Sequence, residues 1–159
     1  MFGCDGGAFM EYNGYYLLDD VLLPRDPVAV GWYETCDGIS EVHMRSCVWW
    51  LNRWWSEYMT GNSQYSRTKE IQKRGELCQS LPWHRYEREC FEAYGQSIAP
   101  MAGWDPETVK KICASATATP VQELYCLSYA ASMFITSDIT APPLYSGMLD
   151  RKSTRLNSS

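Results

Sequence analysis

Histidine is scarce in this chain: only His43 and His84 occur. Basic residues are outnumbered, with Lys+Arg 14 against Asp+Glu 19 and a formal net charge of −5. No basic face is therefore expected, and nucleic acid is excluded as a partner. No run of about 18 uncharged apolar residues occurs, so no helix is expected to span a bilayer. The longest candidate, 124–137, is too short. The N-terminus lacks an Arg/Ser-rich stretch, and no apolar segment follows a positive one. Neither a matrix presequence nor a secretory signal is expected there. C-x-x-C, phosphate-cradling glycine loops, GxSxG and HExxH are all missing. With them go the usual sequence signs of redox, nucleotide, acyl-transfer and zinc-peptidase chemistry. The expectation is a non-enzyme with no cofactor and no catalytic residues.

What is present is cysteine and tryptophan, seven of each, in 159 residues that are 45% hydrophobic. That length suits one domain, and the apolar content is enough for a core. Residues 1–35 are punctuated by Gly3, Gly6, Gly7, Asn13-Gly14, Pro24 and Pro27, and read as an irregular segment. A helical, cysteine-containing domain is expected over 36–135, followed by a loop over 136–149 that holds Pro142-Pro143. Residues 150–159 read DRKSTRLNSS, which resembles the conceptual translation of a sequencing adapter. They are set aside from the fold reasoning as a non-native tail, and the chain is expected to lack its natural C-terminus.

From Ser40 onward the apolar residues follow a helical period. Cys47, Leu51, Trp54 and Tyr58 form one stripe of a helix over 40–59, which stops at Gly61-Asn62. A second helix over 64–80 has a narrow stripe of Ile71, Leu77 and Cys78. Its Arg67, Lys69, Glu70, Lys73, Arg74 and Glu76 are expected in solvent. Pro82 opens a third helix over 83–94, closed by Gly95. Asp105-Pro106 and Thr119-Pro120 are helix-start signals for 106–115 and 120–134. The expected fold class is mainly α: disulfide-stapled antiparallel helical hairpins with an irregular N-terminal third.

Six cysteines fall symmetrically about predicted turns. Cys47 and Cys78 flank Asn62-Ser63, with Cys36 and Cys90 one step further out. Cys113 and Cys126 flank Thr119-Pro120. Packed antiparallel helices can offer the Cα separation a disulfide needs. The expected bridges are therefore Cys47–Cys78, Cys36–Cys90 and Cys113–Cys126, leaving Cys4 over. Seven reduced, buried cysteines are the alternative. A zinc site drawn from His43, Cys47, Cys36, Cys78, His84 and Cys90 is the less favoured use of the same residues, and no metal is expected.

The C-x10-C of Cys36 and Cys47 and the C-x11-C of Cys78 and Cys90 resemble the twin C-x9-C motifs of coiled-coil-helix-coiled-coil-helix proteins of the mitochondrial intermembrane space. Cys78-Gln79 through Tyr86 to Cys90 is also similar to the C-x11-C segment of the PDSW-type accessory subunits of respiratory complex I. The resemblance spans roughly 47–96. It departs from the family in both spacings, and in Pro82 inside the second motif. It implies oxidation in the intermembrane space and a role as an accessory or assembly component of a larger respiratory complex.

Trp49, Trp50, Trp54 and Trp55 lie within seven residues and point to both sides of one helix. One side can be core. The other is expected to be an interface with other protein subunits, since small monomers rarely expose so much aromatic surface. Contact with a membrane surface is a further possibility for the same side chains. Two rival readings stand beside this one. A secreted cysteine-rich module would stack these tryptophans on a sugar or apolar ligand. A truncated enzyme would have lost part of its site. Asp19-Asp20 and Asp26 read as a solvated acidic loop rather than a carboxylate pair.

Overall fold

The structure, a computed structural model, describes residues 7–9 and 27–140, with side chains through 137. Cys4, the acidic residues at 19, 20 and 26, and the tail at 150–159 lie outside the described residues, as do the expected loop residues 141–149. Among the described residues there is no strand. The helices are α1 (Pro27–Val30), α2 (Glu41–Thr60), α3 (Arg67–Gln79), α4 (Glu87–Met101), α5 (Pro106–Ala116) and α6 (Pro120–Thr140). Short 3-10 turns occupy Glu34–Cys36 and His84–Tyr86. The protein is mainly α and disulfide-stapled, as the sequence predicts.

Helix starts follow local chemistry. The Asp105 carboxylate accepts from the Thr108 N–H at 3.0 Å, and Pro106 takes the first helical position. The Thr108 hydroxyl and N–H hold the Asp105 carboxyl below its usual range. At α6 the sequence TPVQ closes a reciprocal capping box. The Gln122 N–H donates to Thr119 Oγ1 at 3.3 Å, and the Thr119 N–H donates to Gln122 Oε1 at 3.2 Å. Ser66 caps α3 through the Lys69 N–H at 3.4 Å. Ser40 occupies the cap position of α2 but makes no side-chain capping bond.

Two helix ends differ from expectation. Gly95 does not stop α4, which continues to Met101. A Cβ on Gly95 would overlap the Cys126 carbonyl oxygen of α6. This glycine is a close-approach residue between α4 and α6, the most extensively packed helix pair. The turn out of α4 comes instead at Gly103, φ 66°, with Trp104 also left-handed at φ 61°. Helix α6 runs past 134 to Thr140, because no breaker occurs before Pro142.

The core forms around α2. Leu51, Trp54, Trp55 and Met59 pack with Leu77, Leu81, Phe91, Tyr94 and Ile98. Tyr33 and Trp32, from the segment before α2, seal one end. Tyr33 meets Trp55 edge-on at 5.9 Å between ring centroids, and its hydroxyl donates to the Leu77 carbonyl at 2.8 Å.

Candidate functional site

All six candidate cysteines are oxidised, but two of the three expected pairings are corrected. The bridges are Cys36–Cys47, Cys78–Cys90 and Cys113–Cys126, with Cα separations of 5.8, 5.6 and 5.8 Å. Only the last matches the cross-turn expectation. The nested ladder required α2 and α3 to run side by side from a tight turn at 62–63. In fact α3 starts only at Arg67 and is 13 residues long, against 20 for α2. Cys78 falls in its last turn, and the bend through Ser80–Trp83 brings the first turn of α4 onto it. Each bridge joins consecutive cysteines and staples one connection.

These bridges also remove the zinc alternative. Cys36, Cys47, Cys78 and Cys90 carry no free thiolate, and His43 and His84 lie on the surface. Among the described residues, no group of three His, Cys, Asp or Glu side chains is placed to hold a metal ion.

The tryptophan expectation is corrected as well. Trp49, Trp54 and Trp55 are core residues, because α2 is covered on several sides. Trp55 is 0% exposed, and its indole N–H donates to the Trp32 carbonyl at 2.7 Å. Trp49 packs edge-on against Tyr129 of α6 at 4.6 Å. Of the four, Trp50 alone is partly exposed.

Between α2, α3 and α4 lies a buried polar centre whose charged residues the sequence pattern places in solvent. Arg74 is 0% exposed, enclosed by α2, α3 and α4. Its guanidinium pairs with Glu70 Oε1 at 3.2 Å and donates to Asn52 Oδ1 at 3.3 Å and to the Ser97 hydroxyl. It also lies 5.5 Å from the Tyr94 ring centroid. The Ser56 hydroxyl donates to Glu70 at 2.6 Å, and Asn52 Nδ2 donates to the Cys90 carbonyl at 2.9 Å. Burial pushes the Arg74 pKa down, against the pull of Glu70 and Tyr94. Burial pushes the Tyr94 phenol up, so its hydroxyl remains the donor to the Ile71 carbonyl at 3.1 Å. An i, i+4 Glu–Arg pair in a charged segment reads as a surface pair. Its burial follows from Asn52 and Ser97 on neighbouring helices, which the local sequence does not reveal.

The surface carries two further features. One is a cleft of about 380 Å³ between α2, α4 and α6, walled by Trp49, Trp50, Arg53, Glu57, Gln96 and Met133. The other is the outward face of α6. Val121, Leu124, Ser128, Ala131 and Ile135 follow i, i+3, i+7, i+10, i+14 and form one uncharged stripe about 20 Å long. Val121 is 54% exposed, Leu124 62% and Ile135 66%. The half-exposed Trp104 stands beside the stripe, edge-on to Phe134 at 5.7 Å. A left-handed φ at a bulky aromatic is uncommon and stores strain, a recurrent mark of functional positions.

No family model, curated protein or solved structure matches the chain. Among the described residues, no helix is long and apolar enough to cross a membrane. Three disulfides are compatible with an oxidising compartment or with secretion.

Proposed function

We propose that this chain is a non-catalytic accessory or assembly component of a larger protein complex, working in the mitochondrial intermembrane space. The observation that carries the reading is the uncharged stripe of α6. Three large apolar side chains stand in solvent along one helix face, with Ser128 and Ala131 between them. Single exposed apolar residues need no explanation, but a continuous stripe beside a strained, half-exposed Trp104 marks an interaction surface. The small residues at its middle permit close approach, and the lack of charge fits an apolar helix of a partner subunit. This stripe takes over the role that the sequence pattern assigns to Trp49, Trp50, Trp54 and Trp55. The compartment rests on the oxidised cysteines and on the C-x10-C and C-x11-C spacing, not on the nested pairing.

Native extraction and size-resolved electrophoresis test this reading. The protein should run in a mitochondrial species far larger than 18.2 kDa. The double variant Leu124→Glu/Ile135→Glu should release it as a monomer with unchanged helicity, since each unpaired charge in a desolvated interface costs about 3 kcal/mol or more. Wild-type protein running as a monomer would contradict the proposal.

A further inference from the structure

All six bridged cysteines are buried, so exposure does not tell the disulfides apart. Their polar surroundings do. The Asn52 amide nitrogen lies 3.4 Å from Cys78 Sγ and 3.4 Å from Cys90 Sγ, and donates to the Cys90 carbonyl at 2.9 Å. Asn52 is itself buried, and its Oδ1 accepts from two nitrogens of the Arg74 guanidinium, Nε at 3.4 Å and Nη2 at 3.3 Å. The third nitrogen, Nη1, faces Glu70. One amide thus connects a buried cation to both sulfurs of one bridge. The other bridges differ. Cys47 Sγ lies 3.4 Å from the Thr35 carbonyl oxygen, which is an acceptor. Among the described residues, no side chain donates to the sulfurs of Cys113–Cys126.

We propose that Cys78–Cys90 is the redox-responsive bridge of this fold, opened by a dithiol reductant before the other two, with Asn52 as the positioning residue that stabilises the sulfur anion formed. The step is a thiol–disulfide exchange. The dithiol attacks one sulfur, the Cys78–Cys90 bond breaks, and the reductant's two sulfurs close into a disulfide. The protein keeps one thiolate and one thiol, and one proton goes to solvent. A disulfide sulfur is a weak, neutral acceptor, whereas a thiolate is a charged one. The Asn52 N–H bond therefore strengthens on reduction and favours the open form. A nearby cation favours the thiolate further. The Thr35 carbonyl acts in the opposite sense on a Cys47 thiolate. This role also gives the Arg74–Glu70 pair a task. A buried ion pair is a weak source of stability that apolar side chains could replace, and here one edge of its cation is turned toward the bridge. Opening the bridge unties the first turn of α4 from the last turn of α3, so the thiol state sets how firmly that connection is held. The α6 stripe plays no part in this device.

The test is a redox titration of the full oxidised chain at neutral pH, in mixtures of reduced and oxidised dithiothreitol brought to equilibrium. Thiol alkylation and peptide mass spectrometry read each bridge. Cys78–Cys90 should be half reduced at a reduced-to-oxidised ratio about tenfold lower than either other bridge. Ultraviolet thiolate absorbance should rise with it. Asn52→Asp keeps the shape and the contact with Arg74 but turns the donor into an acceptor, and should abolish both the lead and the thiolate signal. Arg74→Met with Glu70→Met removes the cation and keeps the amide, and should narrow the lead. Circular dichroism reports whether each variant is folded, and Leu124→Glu/Ile135→Glu should titrate as wild type. The proposal is overturned if wild-type Cys78–Cys90 opens with or after the other bridges, or opens without a thiolate signal; neither outcome depends on a variant. It is equally overturned if a folded Asn52→Asp keeps the wild-type lead.

Discussion

Replacing Trp55 with alanine should destabilise the protein by about 3–5 kcal/mol. The indole is 0% exposed and is packed among α2 and the segment before it. Its removal leaves a cavity and an unpaired Trp32 carbonyl. Urea unfolding followed by circular dichroism reads the loss. Trp55→Phe should recover most of the packing while still losing the hydrogen bond. An alanine variant that unfolds like wild type but leaves a large complex would mean that Trp55 faces a partner, and the burial assignment would be wrong.

Arg74→Met should be comparably severe, at about 3–5 kcal/mol, because it strands the buried Glu70 carboxylate without its cation. Asn52 and Ser97 lose the same donor. Replacing the pair together, Arg74→Met with Glu70→Met, should recover most of the stability, since two apolar side chains need no counter-charge. A double-mutant cycle in urea measures this. Additive single losses would show that the two charges are not coupled. A negligible cost for Arg74→Met alone would return this arginine to the surface, where its sequence context places it.

These two residues show where sequence reading stops. Two helix starts are legible because their signals are local: Asp105-Pro106 and Thr119-Pro120 each act on N–H groups three residues away. Pro82 misleads, since a 3-10 turn precedes the α-helix that begins at Glu87. Gly95 was misread because a stop signal and a close-approach glycine look alike until α6 is seen against it. Arg74 lies in a run of charges, and only its neighbours from two other helices make it a buried centre. The four tryptophans were correctly seen to point to both sides of one helix. Whether a side is covered depends on α4, α6 and the segment before α2, which spacing does not supply. The α6 stripe did leave a trace, in the apolar run from 124 to 137. By length that run is too short to span a membrane, and only the burial of the opposite side of α6 makes it a surface. Cysteine symmetry succeeded at Thr119-Pro120, where the turn is short. It failed about Asn62, where helices of 20 and 13 residues are offset.

The central claim is that disulfides join consecutive cysteines and staple each helix connection, and non-reducing tryptic mapping tests it most directly. Cleavage after Arg and Lys isolates Cys36 in peptide 26–45, Cys47 in 46–53, Cys78 in 75–85 and Cys90 in 89–110. The structure predicts two linked species, 26–45 with 46–53 and 75–85 with 89–110. It also predicts Cys113 and Cys126 bridged within a single peptide, opened by a further cut after Glu123. Peptide 46–53 linked to 75–85, or all six thiols alkylated without reduction, would contradict it.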